Sequence, residues 1–147
     1  MHDRRDILIV DDDAQLAFGV SQRLQAVGYA TRTAEDGERG LAAANERLPA
    51  VILMDVMLPG IDGLAALRRL RADQRTCNVP VIMLSASVGD ERNALDAGAR
   101  FFLKKPYRHE HLFAAVHKAV NDENAELPSS PRGNAATSAG CPDLYRF

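Results

Sequence analysis

The chain has few cysteines, little net charge, no long apolar run and no nucleotide-binding loop. Cys77 and Cys141 are its only cysteines. They lie far apart, without the spacing of a zinc site or of a disulfide framework. Free thiols in a reducing compartment are therefore expected. The formal net charge is −2, whereas a nucleic-acid backbone calls for a basic stripe. The densest basic cluster, Arg68, Arg69 and Arg71, reads as the solvated face of a helix. No apolar stretch approaches the ~20 residues that span a bilayer. Residues Met1 to Asp6 lack an apolar core and do not read as a secretory signal. A cytoplasmic location is expected. Neither G-x-G-x-x-G nor G-x-x-x-x-G-K-[ST] occurs, so nucleotide binding has no support. His109 and His111 are not spaced i, i+4 and read as exposed histidines at a helix start.

What the chain does have is four short apolar runs, each ending in a residue able to do chemistry. Ile7 to Val10 runs into Asp11, Asp12 and Asp13, and Val51 to Met54 into Asp55. Val81 to Leu84 runs into Ser85, and Phe101 to Leu103 into Lys104, Lys105 and Pro106. Such runs, rich in β-branched residues, read as strands buried on both faces. Between them lie stretches of helical period. Leu16, Val20, Leu24 and Val27 mark the first, with an acid at its start and Gly28 at its C′ position. Tyr29 to Thr33 reads as a short second strand. Asp36-Gly37 opens a helix with Leu41 and Ala44 inward, and Asp62-Gly63 opens one with Leu64, Leu67 and Leu70. Asp90 to Ala97 is a short fourth helix. Leu112, Val116, Ala119 and Val120 mark a fifth.

Strand and helix thus alternate five times. Right-handed crossovers then give an α/β fold with a parallel sheet covered on both faces, a (βα)5 unit. With 147 residues, 46% of them hydrophobic, one domain with a real core is expected. It spans residues 6–121. Residues 122–147 change character and read as a flexible tail, because almost nothing from Asp122 to Gly140 can join a core. Leu144, Tyr145 and Phe147 are more apolar, but a frayed end is the plainer reading.

In an open parallel sheet the ligand crevice lies beyond the carboxyl ends of the strands. Acids, a hydroxyl and an amine converge there. Asp alone is a common cap or turn residue, and a lone Ser85 or Lys105 carries no weight. Together they do. Carboxylates ~4 Å apart repel by roughly 4 kcal/mol at an effective dielectric of about 20. A hard divalent cation offsets that repulsion, and Mg²⁺ takes one or two carboxylates, waters and phosphate oxygens. A carboxylate can attack phosphorus to form an acyl phosphate, while metal and amine neutralise the equatorial oxygens.

The segments Ile7-Leu8-Ile9-Val10-Asp11-Asp12-Asp13, Met54 to Gly63 with its Asp-x-x-x-Pro-x-x-Asp-Gly pattern, Leu84-Ser85-Ala86 and Lys104-Lys105-Pro106 resemble the receiver domain of two-component response regulators. The resemblance covers about residues 6–121. It implies the flavodoxin-like strand order 2-1-3-4-5, an order the chemotaxis member of this family exemplifies. It implies Asp55 as phosphoacceptor, with Ser85 and Lys105 holding the phosphoryl group. It implies Mg²⁺ on Asp12, Asp55 and the Met57 backbone carbonyl, with Asp11 acting through water. Ser85 and Phe102 would be the switch pair. Fast members of the family place a hydrolytic water with polar side chains two past the phosphoacceptor and two past the hydroxyl residue. Met57 and Ser87 stand there, so a long-lived phosphorylated form is expected. The segment between Ser85 and Ala97 is about two residues shorter than usual for the family.

The reading is a stand-alone phosphoacceptor rather than a classified enzyme. It takes its phosphoryl group from a histidine kinase or phosphotransfer protein and signals to a downstream protein by conformational change. Neither nucleic acid nor membrane is an expected partner, and phosphorylation-dependent homodimerisation stays open. The alternative is a receiver-like adaptor that docks without being phosphorylated. A phosphatase working through an aspartyl phosphate would need a second acid two past Asp55, where Met57 stands.

Overall fold

The structure, a computed structural model, describes residues 5–121. The expected tail therefore lies outside the described residues. Five strands alternate with five helices: β1 (Asp6–Val10), α1 (Ala14–Ala26), β2 (Ala30–Ala34), α2 (Gly37–Glu46), β3 (Val51–Asp55), α3 (Gly63–Ala72), β4 (Val81–Ser85), α4 (Asp90–Asp96), β5 (Phe101–Lys104) and α5 (His109–Asn121). All pairings are parallel, and the sheet order is β2-β1-β3-β4-β5. Register aligns Val10 with Met54, Asp55 with Leu84, and Ser85 with Lys104. The chemistry-bearing residues therefore reach one rim at nearly the same height.

The apolar runs alternate between two cores, as side chains of a strand must. Leu8, Val10, Ile52, Met54, Val81 and Met83 face α2, α3 and α4. Ile7, Ile9, Leu53, Ile82 and Leu84 face α1 and α5. Burial of each such side chain contributes about 1.5–3 kcal/mol, which is why the three central runs carry no polar residue before their last position.

Three aspartates start helices. Asp13 accepts from the N–H groups of Gln15 and Leu16, Asp36 from Arg39, and Asp62 from Ala65. Each satisfies N–H groups that the first helical turn leaves without partners. Gly28 takes a φ of 103° directly after the Val27 cap, the left-handed conformation glycine adopts without steric cost.

Three local readings change. The second strand is Ala30–Ala34, one residue beyond the expected run. In α1 the buried residues are Ala17, Ser21 and Leu24, whereas Leu16 and Val27 are exposed. Small side chains let α1 sit close to the sheet, and Ser21 is satisfied by Thr31, with an Oγ to Oγ1 distance of 2.6 Å. Arg71 is not on a solvated face: its guanidinium donates to the carbonyls of Gly98, Cys77 and Val79. It staples the end of α3 to the turns that enter β4 and β5.

Candidate functional site

The rim after β1, β3, β4 and β5 collects the candidate residues. Asp11 and Asp55 are buried, Asp12 is exposed, and one carboxylate oxygen from each lies within 4.8 Å of the others. Lys105 crosses from the loop after β5. Its Nζ donates to Asp55 Oδ2 at 2.8 Å and lies 4.0 Å from Asp11 Oδ2. The other Asp55 oxygen, Oδ1, accepts from the Met57 N–H at 3.2 Å. Asp11 Oδ1 accepts from the Asp13 N–H at 2.9 Å. One amine and two backbone donors thus offset part of the mutual repulsion of the acids.

The electrostatics follow from burial and partners. Burial raises the Asp11 pKa, and the Asp55 and Asp12 charges raise it too; the Asp13 N–H and Lys105 only partly oppose this. For Lys105, burial works against the charged form. The hydrogen bond and charge of Asp55, aided by Asp11, outweigh it and hold the amine above its ordinary value. Tyr107, half-buried beside this cluster, is raised chiefly by burial. Three acids face a single amine, an excess of two negative groups, so a divalent cation suits the donor set. Asp11, Asp12 and Asp55 offer the hard oxygen ligands that Mg²⁺ takes.

The backbone fixes Asp55 closely. Val56 N–H donates to the Leu84 carbonyl at 2.9 Å, and Gly63 N–H to the Val56 carbonyl at 2.8 Å. A Cβ on Gly63 would run into the Asp55 carbonyl and the Val56 Cα. Only glycine lets α3 start this close to the acid. The Lys105 N–H donates to the Ser85 carbonyl at 2.7 Å, which ties the lysine loop to the end of β4. The Lys105–Pro106 peptide is cis.

Ser85 is at the same rim but is committed elsewhere. Its Oγ donates to Asp90 Oδ2 at 2.7 Å and accepts from the Ser87 N–H at 3.0 Å. Phe102 is half-buried and packs on the core that holds α2, α3 and α4. The Met57 side chain stands out at 72% exposure. Beside the acids runs a mostly apolar groove of about 570 Å³, lined by Leu16, Val20, Lys105, Pro106 and Tyr107 among others. Sequence reasoning missed Asp90 and Tyr107. The only signals were an acid at an expected helix start and an aromatic two past Lys105.

A doubly wound five-stranded sheet of this order, with its helices on both faces, is the flavodoxin-like receiver fold. The family model for the response regulator receiver domain matches residues 7–117, and the chain belongs to that family. Phosphorylation on aspartate and Mg²⁺ binding are general properties of the family. Over 136 residues the chain is 36% identical to the DNA-binding dual master transcriptional regulator RpaA of Synechocystis, covering 91% of this chain and 56% of that one. It therefore spans little more than half the length of this relative. A CheY-like receiver domain protein from Methanospirillum hungatei superposes with a TM-score of 0.76 at 26% identity, covering 84% of this chain and 98% of that one. The receiver domain of a sensor histidine kinase from Pseudomonas aeruginosa, solved with magnesium in its active-site cleft, gives 0.75 at 31% identity, covering 80% and 98%. Among the described residues no helix is long and apolar enough to cross a membrane.

Proposed function

We propose that this chain is a phosphoacceptor receiver. It takes a phosphoryl group on Asp55 with Mg²⁺ and passes the change to a protein partner through the face that carries Phe102. The observation that carries the reading is the buried Asp55 carboxylate, hydrogen-bonded to Lys105 at 2.8 Å and grouped with Asp11 and Asp12. In the reaction an Asp55 oxygen attacks phosphorus. The bond from phosphorus to the donor, nitrogen in a phosphohistidine, breaks, and its electron pair leaves with the donor. Asp11, Asp12, Asp55 and the Met57 carbonyl would hold Mg²⁺, which neutralises charge on the phosphoryl oxygens when bound. Lys105 supplies a fixed positive charge to the same oxygens, and Ser85 a hydroxyl donor. The apolar groove beside Lys105 supports docking of a histidine kinase or phosphotransfer protein next to the acceptor. The chain acts as a switch rather than as a turnover enzyme, in the cytoplasm where such donors work.

Incubation with acetyl phosphate and Mg²⁺, followed by intact-mass measurement, tests the assignment. The wild type gains one phosphoryl group and Asp55→Asn gains none. A phosphorylated Asp55→Asn protein would place the acceptor elsewhere. A wild type that takes no phosphoryl group would favour a docking adaptor.

A further inference from the structure

We propose that Asp90 is a positioning residue that competes with the phosphoryl group for the Ser85 hydroxyl. The proposal rests on the reading of Asp55 as phosphoacceptor. Ser85 is 1% exposed, so water does not offer its hydroxyl an easy alternative partner. A hydroxyl has one proton to donate, and here that proton goes to Asp90 Oδ2 at 2.7 Å. The Ser87 N–H occupies the oxygen from the acceptor side. In this arrangement Ser85 has no proton left for a phosphoryl oxygen on the neighbouring strand end. It must first release Asp90. Hydrogen bonds to an ionised acceptor are short and strong, so the release is a real barrier.

The surroundings of Asp90 make that release local. Asp90 lies in the first turn of α4, a helix of seven residues whose Gly89 cap makes no side-chain hydrogen bond. The preceding turn keeps its own bonds, Ser87 Oγ accepting from the Gly89 N–H at 3.2 Å and the Ser87 carbonyl from the Asp90 N–H at 3.1 Å, so it does not depend on the Ser85 contact. When the Ser85 proton passes from Asp90 to a phosphoryl oxygen, the start of α4 loses a tether to β4. The same exchange therefore completes the phosphoryl site and removes the Ser85 tether from the start of α4. Asp90 sets how readily it occurs.

The test compares phosphorylation by acetyl phosphate with Mg²⁺ in the wild type, Asp90→Ala, Asp90→Asn, Ser85→Ala and the Ser85→Ala/Asp90→Ala double variant, read by intact mass over time. Asp90→Ala should be phosphorylated about tenfold faster, the scale of one charge-assisted hydrogen bond. Asp90→Asn keeps an uncharged acceptor and should fall between it and the wild type. In the Ser85→Ala background the Asp90 substitution should change nothing, which a merely structural effect on α4 would not produce. The proposal is overturned if both Asp90 variants fold and react no faster than the wild type. It is also overturned if the acceleration persists without Ser85. A wild type that accepts no phosphoryl group overturns the reading of Asp55 and this proposal with it.

Discussion

Two strand-to-helix junctions flank the acceptor, and they are built in opposite ways. The β3–α3 junction is locked by backbone: Gly63 N–H bonds the Val56 carbonyl, Val56 N–H bonds the Leu84 carbonyl, and Asp62 caps α3. Its glycine sits where no Cβ fits. The β4–α4 junction has two backbone turn bonds of its own, Asp90 N–H to the Ser87 carbonyl and Glu91 N–H to the Val88 carbonyl, but its tie to β4 runs through side chains, Ser85 to Asp90 and Ser87 to Gly89, and it leads into the shortest of the five helices. Val88 in that loop is 60% exposed. Chemistry that needs a fixed acceptor benefits from the first kind of junction, because misplacement of reacting atoms is costly in rate. A signal that must move benefits from the second, whose bonds can be exchanged without breaking the sheet.

The largest expected effect attacks the locked junction. Gly63→Ala forces the Asp55 carbonyl or α3 to shift and should destabilise the fold by about 3 kcal/mol, the upper range for overpacking against backbone. Urea denaturation measures it; a loss under half that size would show the junction to be soft. Next, Asp12→Ala should lower Mg²⁺ affinity about tenfold or more. The same substitution should raise the thermal midpoint of the metal-free protein slightly, because it removes one of three like charges. Calorimetric titration and a thermal melt read the two halves separately. Undiminished affinity would place the metal elsewhere.

Third comes the lifetime of the phosphorylated form. The Met57 side chain cannot orient water, and the Ser87 hydroxyl oxygen already accepts from Gly89. The acyl phosphate should therefore last minutes or longer, and Met57→Asn should shorten it several-fold. Decay in Mg²⁺ buffer without a kinase checks both; a half-life of seconds in the wild type would refute the argument. The smallest effect probes the β4–α4 junction. Gly89 has φ −66° and ψ −15°, and a Cβ there would meet only Ser87 Oγ at 3.5 Å. Gly89→Ala should be tolerated and stabilise by ~0.4–1 kcal/mol through the unfolded chain. A destabilisation as large as that of Gly63→Ala would erase the contrast between the junctions.

The sequence by itself determined the layers and most of the rim. Continuous apolar runs read as strands buried on both faces, which holds for Ile7–Val10, Val51–Met54 and Val81–Leu84 but not for Phe101–Leu103, half-buried at the sheet edge, and the alternation with helices implied their parallel sense. Helix starts at Asp13, Asp36 and Asp62 were legible because capping is local chemistry. The convergence of Asp11, Asp12, Asp55 and Lys105 followed from the topology. What only the tertiary structure decided were contacts between elements. The inward face of α1 passed to Ala17 and Ser21 because close approach to the sheet favours small residues over Leu16. Arg71, one of several arginines on α3, found three carbonyls from other segments. The Ser85 hydroxyl found Asp90 because the short turn after β4 folds back on itself. Local propensity and period act within about a turn of chain, whereas a hydroxyl's single proton goes to whichever acceptor packing brings within reach.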